Sequence, residues 1–330
     1  MAVINPEFYN KTPEATWKGR NDGTDPASQR WHQRIVTVDL LEETIPILQT
    51  GQKGIALIGF ACDEGVKRNG GRTGAKDAPL HFRMASGSLP VHFNEETLFV
   101  DLGDITCDTE AMEEAQQALA DLVTAALGKG YLPLVIGGGH EVAYGHFSGI
   151  NNHINSSATI GIINFDAHFD LREPAEKGTN SGTGFLQIAH DCKDLGIEFR
   201  YLPIGIQRNS NTKLLFNRAL SLNVNHISAE LFSPSREKEI FSRIKEFIEG
   251  STHVYLTICM DVFSSAAAPG VSAPAYSGIF PDPFFFSCLT AIISSGKVIS
   301  MDIAEYNPAY DTDQRTAKLA AALAFSMISN

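Results

Sequence analysis

Short, almost unbroken apolar runs recur along the chain, separated by longer stretches with helical character. Gly54–Phe60, Thr97–Leu102, Leu132–Ile136, Ala158–Phe165, Tyr201–Gln207, Val224–Ile227, His253–Met260 and Val298–Ile303 each read as a strand. A continuous apolar run, as opposed to an alternating one, is what a strand covered on both faces requires. Between them the pattern predicts an Ala-rich helix over Thr109–Leu127 that stops near Gly128 and Gly130. A second helix is predicted over Pro234–Ile248, with Ser233 as N-cap, Pro234 at the first helical position and Gly250 past the end. A third spans Thr312–Ile328, where Asp311 and Gln314 have the spacing of a capping box. Strands alternating with helices predict an α/β fold, a three-layer α/β/α sandwich around a central, mostly parallel sheet of about eight strands. Residues 1–50 are polar and broken by Pro6, Pro13, Gly19, Gly23 and Pro26, so they predict an N-terminal arm or surface layer. No internal repeat or linker-like segment divides the rest, and residues 1–330 are expected to form one domain.

Side chains suited to metal binding fall at one end of these strands. His140 follows Gly137-Gly138-Gly139; Asp166, His168 and Asp170 follow the run ending at Phe165; Asp261 and Glu305 follow two later runs. In open α/β sheets that carboxyl edge is where ligands bind. On an extended strand Asp166 and His168 would project from the same face, and three such residues would spread over about 13 Å, beyond the reach of one ion. Either the chain curls after His168 or the three residues serve two neighbouring ions, an arrangement that activates water. Carboxylates mixed with imidazole suit Mn²⁺, with Fe²⁺, Co²⁺ or Zn²⁺ as substitutes. The Gly-rich turn before His140 could also cradle a phosphate, yet it lacks both GxGxxG and GxxxxGK[ST] spacing. Two loops add polar character. Cys62–Pro79 carries four glycines with Lys67, Arg68, Arg72 and Lys76, suited to an anionic ligand, and Thr179–Gly184 is small and polar.

Composition narrows the classes. The chain has 330 residues, 43% of them hydrophobic, enough for a large core. A formal net charge of -12 with pI near 5.3 argues against nucleic acid or an anionic membrane as partner. Five scattered cysteines without a CxxC pair fit a reducing compartment. With no apolar leader and no run long enough to span a bilayer, a cytoplasmic location is expected.

Gly138-Gly139-His140-Glu141, Asp166-Ala167-His168-Phe169-Asp170 and the strand end Met260-Asp261, in that order, resemble the three signatures of the arginase/agmatinase ureohydrolase family. The resemblance implies an arginase-like fold and two Mn²⁺ ions per subunit with a hydroxide between them. It assigns His140, Asp166, Asp170 and Asp261 to the first ion, and Asp166, His168, Cys259 and Asp261 to the second, with Asp166 and Asp261 bridging. Glu305 matches the family's acidic residue that binds an amidine or guanidine, and Asp170, Glu305 and Glu141 are the implied catalytic groups. A trimer or hexamer is implied as well. Two departures stand out. Cys259 occupies a carboxylate position of the family's DxD; a thiolate prefers softer metals and can be oxidised, and its other reading is a small buried hydrophobe that ligates nothing. The arginase shuttle His is missing, since the matching stretch reads Gly182-Thr183-Gly184-Phe185.

These departures, with Asp170-Leu171-Arg172 and Ala268–Pro274, resemble the branch of the family that hydrolyses N-formimidoyl-L-glutamate to glutamate and formamide in histidine breakdown. Such a substrate offers an amidine to Glu305 and two carboxylates to cations. Arg172 would pair with one in bidentate fashion and Arg72 with the other, while Asn180 and Ser181 supply hydrogen bonds. An ordinary surface ion pair is the other reading of either arginine. Two alternatives stay open: an agmatinase or other guanidino-acid hydrolase, against which Arg172 leans, and a metal-poor pseudoenzyme acting as a binding protein, of which Cys259 would be the sign.

Overall fold

The structure, a computed structural model, describes residues 4–154 and 158–329; residues 1–3 of the expected arm lie outside them. A ten-stranded sheet runs through it. Its strands are β1 (Tyr9–Asn10), β2 (Val36–Thr37), β3 (Gly54–Ala61), β4 (Leu98–Thr106), β5 (Tyr131–Ile136), β6 (Ile160–Phe165), β7 (Arg200–Ile206), β8 (Ile227–Ser228), β9 (His253–Cys259) and β10 (Val298–Ala304). The helices are α1 (Glu64–Arg68), α2 (Ala78–Ser86), α3 (Met112–Gly128), α4 (Val142–His153), α5 (Gly184–Leu195), α6 (Lys213–Ser221), α7 (Glu237–Glu249), α8 (Pro283–Ile293) and α9 (Arg315–Ile328). Strand order is β1-β4-β3-β5-β10-β9-β6-β7-β8, with β2 also on β4, and only β1 runs antiparallel. Seven of the eight strands read from the apolar runs are β3 to β7, β9 and β10, while the run Val224–Ile227 meets β8 only at Ile227. The additional two come from the arm, where nothing in the local pattern distinguishes a two-residue strand from a loop.

Helices cover both faces, as the unbroken apolar runs require. One layer of core joins Ile163, Phe165, Leu256, Ile258, Met301 and Ile303 to α2, α7, α8 and α9. The other joins Ile58, Val135, Ile162, Tyr201 and Tyr255 to α3, α4 and α5. Period-two alternation along each strand sorts the residues between the layers.

All three expected helices start three residues late, the first at Met112. The segment over Pro234–Ile248 opens as a 3-10 turn, Pro234–Arg236, with the Ser233 hydroxyl accepting the Ser235 N–H, and becomes α-helical only at Glu237. The last helix begins at Arg315, because Gln314 adopts a left-handed backbone (φ 55°) and cannot sit at N3 of a capping box. Asp311 caps it from outside instead, accepting the N–H groups of Thr316 and Ala317. No helix among the described residues is long and apolar enough to cross a membrane.

Candidate metal centre

Four neighbouring strands, β5, β10, β9 and β6, end at the same edge. They deliver His140, Glu305, Cys259 with Asp261, and Asp166 respectively. Strands in a sheet lie about 4.8 Å apart, so consecutive strand ends bring such side chains within reach of one another. The glycines before His140 are required by close approach. A Cβ on Gly138 would fall 1.6 Å from the Cys62 carbonyl oxygen, which also accepts the Gly139 N–H. Only a bare backbone can pass there.

The chain does curl at the central motif, and earlier than expected. β6 ends at Phe165, and Asp166 Oδ1 accepts the His168 N–H at 2.7 Å, closing a turn that removes the extended alternation through Asp170. Asn211 pins the turn, accepting the Phe169 N–H and donating to the Ala167 carbonyl. Asp170 and Glu305 both have left-handed backbones, φ 48° and 64°. That conformation costs a non-glycine residue about 1–3 kcal/mol and concentrates at functional positions.

The resulting donors fall into two groups that share Asp166: His140, Asp166 and Cys259, and Asp166, His168 and Asp261. His140 Nδ1 lies 2.8 Å from Asp166 Oδ2 and 2.9 Å from Asp170 Oδ2, yet makes no hydrogen bond with proper geometry. His168 Nδ1 is 3.2 Å from Asp261 Oδ2 and 3.6 Å from Asp166 Oδ1. The resemblance puts Cys259 with His168; its sulfur instead groups with His140, because Cys259 is the last residue of β9 and Asp261 lies beyond, on the 3-10 turn Met260–Val262. Buried Asp261 Oδ1 and Glu305 Oε2 lack hydrogen-bond partners. Unsatisfied acceptors and a bare imidazole nitrogen crowded together are the chemistry of a divalent-cation site, and the mixed N/O donors suit Mn²⁺.

Electrostatics point the same way. Burial, then the charge of Asp261, pushes the Glu305 carboxyl up to about 7. Burial, then Asp166 and Asp261, raises the Cys259 thiol well above its ordinary range. Burial opposes charge on His140 and His168, but the surrounding carboxylates outweigh it and raise both rings. The carboxylates thus favour positive charge in the site.

A cavity of about 260 Å³ opens over these groups, lined by His140, His168, Asp170, Cys259, Asp261, Glu305, Arg172 and Ser181. Arg172 stands exposed, and its guanidinium has no hydrogen-bond or ion-pair partner among the described residues. Other expected residues lie elsewhere. Arg72 donates to the carbonyls of Val271 and Ser272 and stacks on Tyr310, so it clamps the 271–272 loop and does not line the cavity. Asn180 is buried, its Oδ1 accepting the Gly182 N–H within its own turn. Glu141 is also outside the cavity wall: Oε1 accepts the Gly65 N–H, and burial, then Glu305, pushes its carboxyl up to about 8. Sequence reasoning missed Asn69 and Ser272, both on the cavity wall, and Asn69 donates to the Ser181 hydroxyl. The glycines at 65, 70, 71 and 74 marked the Asn69 loop as one that approaches something closely; Ser272 lies in the Ala268–Pro274 stretch that carries the resemblance, which gave it no role of its own.

Fold and site together define a class, α/β proteins with two groups of metal-type donors at the carboxyl edge of the sheet, and the sequence comparison makes it specific: the Arginase family profile matches residues 53–329, so the chain belongs to that family. Among curated relatives, the formimidoylglutamase of Clostridium tetani is 40% identical over 97% of this chain and 95% of its own length. That of Geobacillus thermodenitrificans is 43% identical over 94% of each. Among solved structures, the Trypanosoma cruzi formiminoglutamase with Mn²⁺ superposes with a TM-score of 0.73 at 26% identity, covering 84% of this chain and 92% of that one. The Bacillus subtilis formimidoylglutamase, 24% identical, shares the fold, with a TM-score of 0.77 over 94% of this chain and 92% of its own.

Proposed function

We propose that this protein hydrolyses N-formimidoyl-L-glutamate to L-glutamate and formamide with two Mn²⁺ ions. The observation that carries the reading is the pair of donor groups sharing Asp166, opening into one cavity with Glu305 and an unpaired Arg172. His140, Asp166, Cys259 and Asp170 would hold one ion, and Asp166, His168 and Asp261 the other. Ions so held supply acidification of water near neutral pH. Curated relatives along nearly the whole chain carry the formimidoylglutamase name, which supports this substrate over a guanidino compound.

The chain's own residues do the remaining work. The free Glu305 Oε2 takes the amidine N–H groups and fixes the carbon at the attack distance, while Oε1 stays on the His140 N–H at 2.9 Å. Arg172 grips a substrate carboxylate in bidentate fashion, a contact a decarboxylated substrate such as agmatine could not make. Ser181, held by Asn69, supplies a hydrogen bond at the rim. Attack of water breaks the bond between the amidine carbon and the glutamate nitrogen. Asp170, beside His140 and facing the cavity, is placed to carry a proton to that leaving nitrogen. Product analysis on N-formimidoyl-L-glutamate with added MnCl₂ tests the reading: formamide and glutamate in equal amounts are expected. Ammonia release, or urea from agmatine at a higher rate, would overturn it.

A further inference from the structure

Beneath the metal centre, on the face covered by α3, α4 and α5, the sheet carries a row of polar side chains where its neighbours are apolar. Asn164 on β6, Thr257 on β9 and Asp302 on β10 are in register on three adjacent strands, and all three are fully buried. Such burial is tolerated only when partners are supplied. Asn164 spends its amide on Asp166 and on the Tyr201 hydroxyl. Thr257 meets His140, and Asp302 meets Tyr255 and His146.

His140 Nε2 lies 3.0 Å from the Thr257 hydroxyl. Asp302, opposite Thr257 in the register, accepts the Tyr255 O–H at Oδ2. His146 Nδ1 joins the same carboxylate oxygen at 2.7 Å, and its Nε2 meets Ser300 Oγ at 2.5 Å. The Thr257 hydroxyl is the partner of Nε2, while Nδ1 is the nitrogen among the carboxylates. A ring that ligates through Nδ1 carries its hydrogen on Nε2, and the Thr257 oxygen is placed to accept it.

We infer that Thr257 is a positioning residue that fixes the ring orientation of His140 for the cation. The inference rests on the reading of His140 as a metal ligand. Removing the Thr257 hydroxyl should weaken metal binding without emptying the cavity of any donor.

The test is Mn²⁺ binding to the full-length apoprotein, followed by the EPR signal of free Mn²⁺, with apoprotein melting recorded alongside. Thr257→Val should weaken one of the two ions by about 10–100-fold, the range for lost outer partners of a ligating His, while Thr257→Ser stays within about 3-fold of wild type. Thr257→Ala, which also removes the hydroxyl, should weaken the same ion by about 10–100-fold and carries the test if Thr257→Val does not fold. Wild-type affinity in Thr257→Val or Thr257→Ala, or equal loss in Thr257→Val and Thr257→Ser, would overturn the inference. No Mn²⁺ uptake by wild type would overturn it together with the metal reading. Uptake without cleavage of N-formimidoyl-L-glutamate would sink the substrate alone, and the Thr257→Val against Thr257→Ser contrast would still support the inference.

Discussion

Two clusters of buried charge sit in this molecule, and they are built on opposite principles. Where the arm meets the sheet, Arg83 donates to both oxygens of Asp101 at 2.7 and 2.9 Å and to Asp104 at 2.7 Å. Asp101 also accepts from Trp17 at 2.8 Å and from Thr12 at 3.1 Å. Every charge there has a protein partner, and nothing further could bind. At the carboxyl edge, Asp166, Asp170, Asp261 and Glu305 gather with two imidazoles, no Lys or Arg neutralises them, and Asp261 Oδ1, Glu305 Oε2 and His140 Nδ1 are left without hydrogen bonds. The first cluster is satisfied by its own chain and fastens the arm. The second can be satisfied only from outside. Burial of charge therefore does not mark a functional site; burial of charge left incomplete by its surroundings does.

Mutation should separate the two. Asp261→Ala should lower kcat/KM by more than about 1,000-fold, since losing a ligand removes several kcal/mol of charge stabilisation by the ion. Melting of its apoprotein should hold or rise, because a like charge leaves a crowded pocket, and Mn²⁺ should raise the melting temperature of wild type far more than that of the variant. A variant that melts early while retaining turnover would reverse the contrast. Arg83→Met should do the converse. Leaving Asp101 and Asp104 buried without their cation is expected to cost about 3–5 kcal/mol in urea unfolding, with two Mn²⁺ still bound per folded chain. Loss of metal at full stability would show that the clusters are not independent.

How much of this was visible in the sequence depends on the range over which each feature is determined. Strands β3 to β7, β9 and β10 were legible because two-sided burial writes itself as local apolar runs, and the ligand-type residues were legible because they cap those runs. β1, β2 and β8 were not, since a two-residue strand is defined by its partner, β4 or β7, and not by its own residues. The Asp166 turn escaped notice because the side chain of one residue captures the N–H of another two positions on, which overrides strand periodicity. Thr257 was likewise invisible: one threonine in a strand carries no signal until register sets it beside His140. Charge was the least reliable guide, since Arg72 and Arg172 look alike in the chain and differ only in what surrounds them.

That last pair offers a finer comparison. Arg172→Ala should raise KM for N-formimidoyl-L-glutamate by about 10–100-fold with kcat nearly unchanged, the worth of a hydrogen-bonded charge pair, about 1.5–3 kcal/mol, lost at a rim contact made equally in ground and transition states. Stability should change little, because the guanidinium has no hydrogen-bond or ion-pair partner among the described residues.

Arg72→Ala should give the smaller and differently shaped effect. Its guanidinium is already committed to the Val271 and Ser272 carbonyls and to the Tyr310 ring, 3.9 Å from the ring centroid. Truncation should cost about 1–2 kcal/mol of stability from lost hydrogen bonds and stacking. KM should rise by no more than about 5-fold, through loosening of the loop that carries Ser272 and not through a lost substrate contact. If Arg72→Ala instead matched Arg172→Ala, with a large KM effect at unchanged stability, Arg72 would have to leave the loop and reach the substrate during binding. The second carboxylate would then have found its cation there, and the division between a clamping and a gripping arginine would fail.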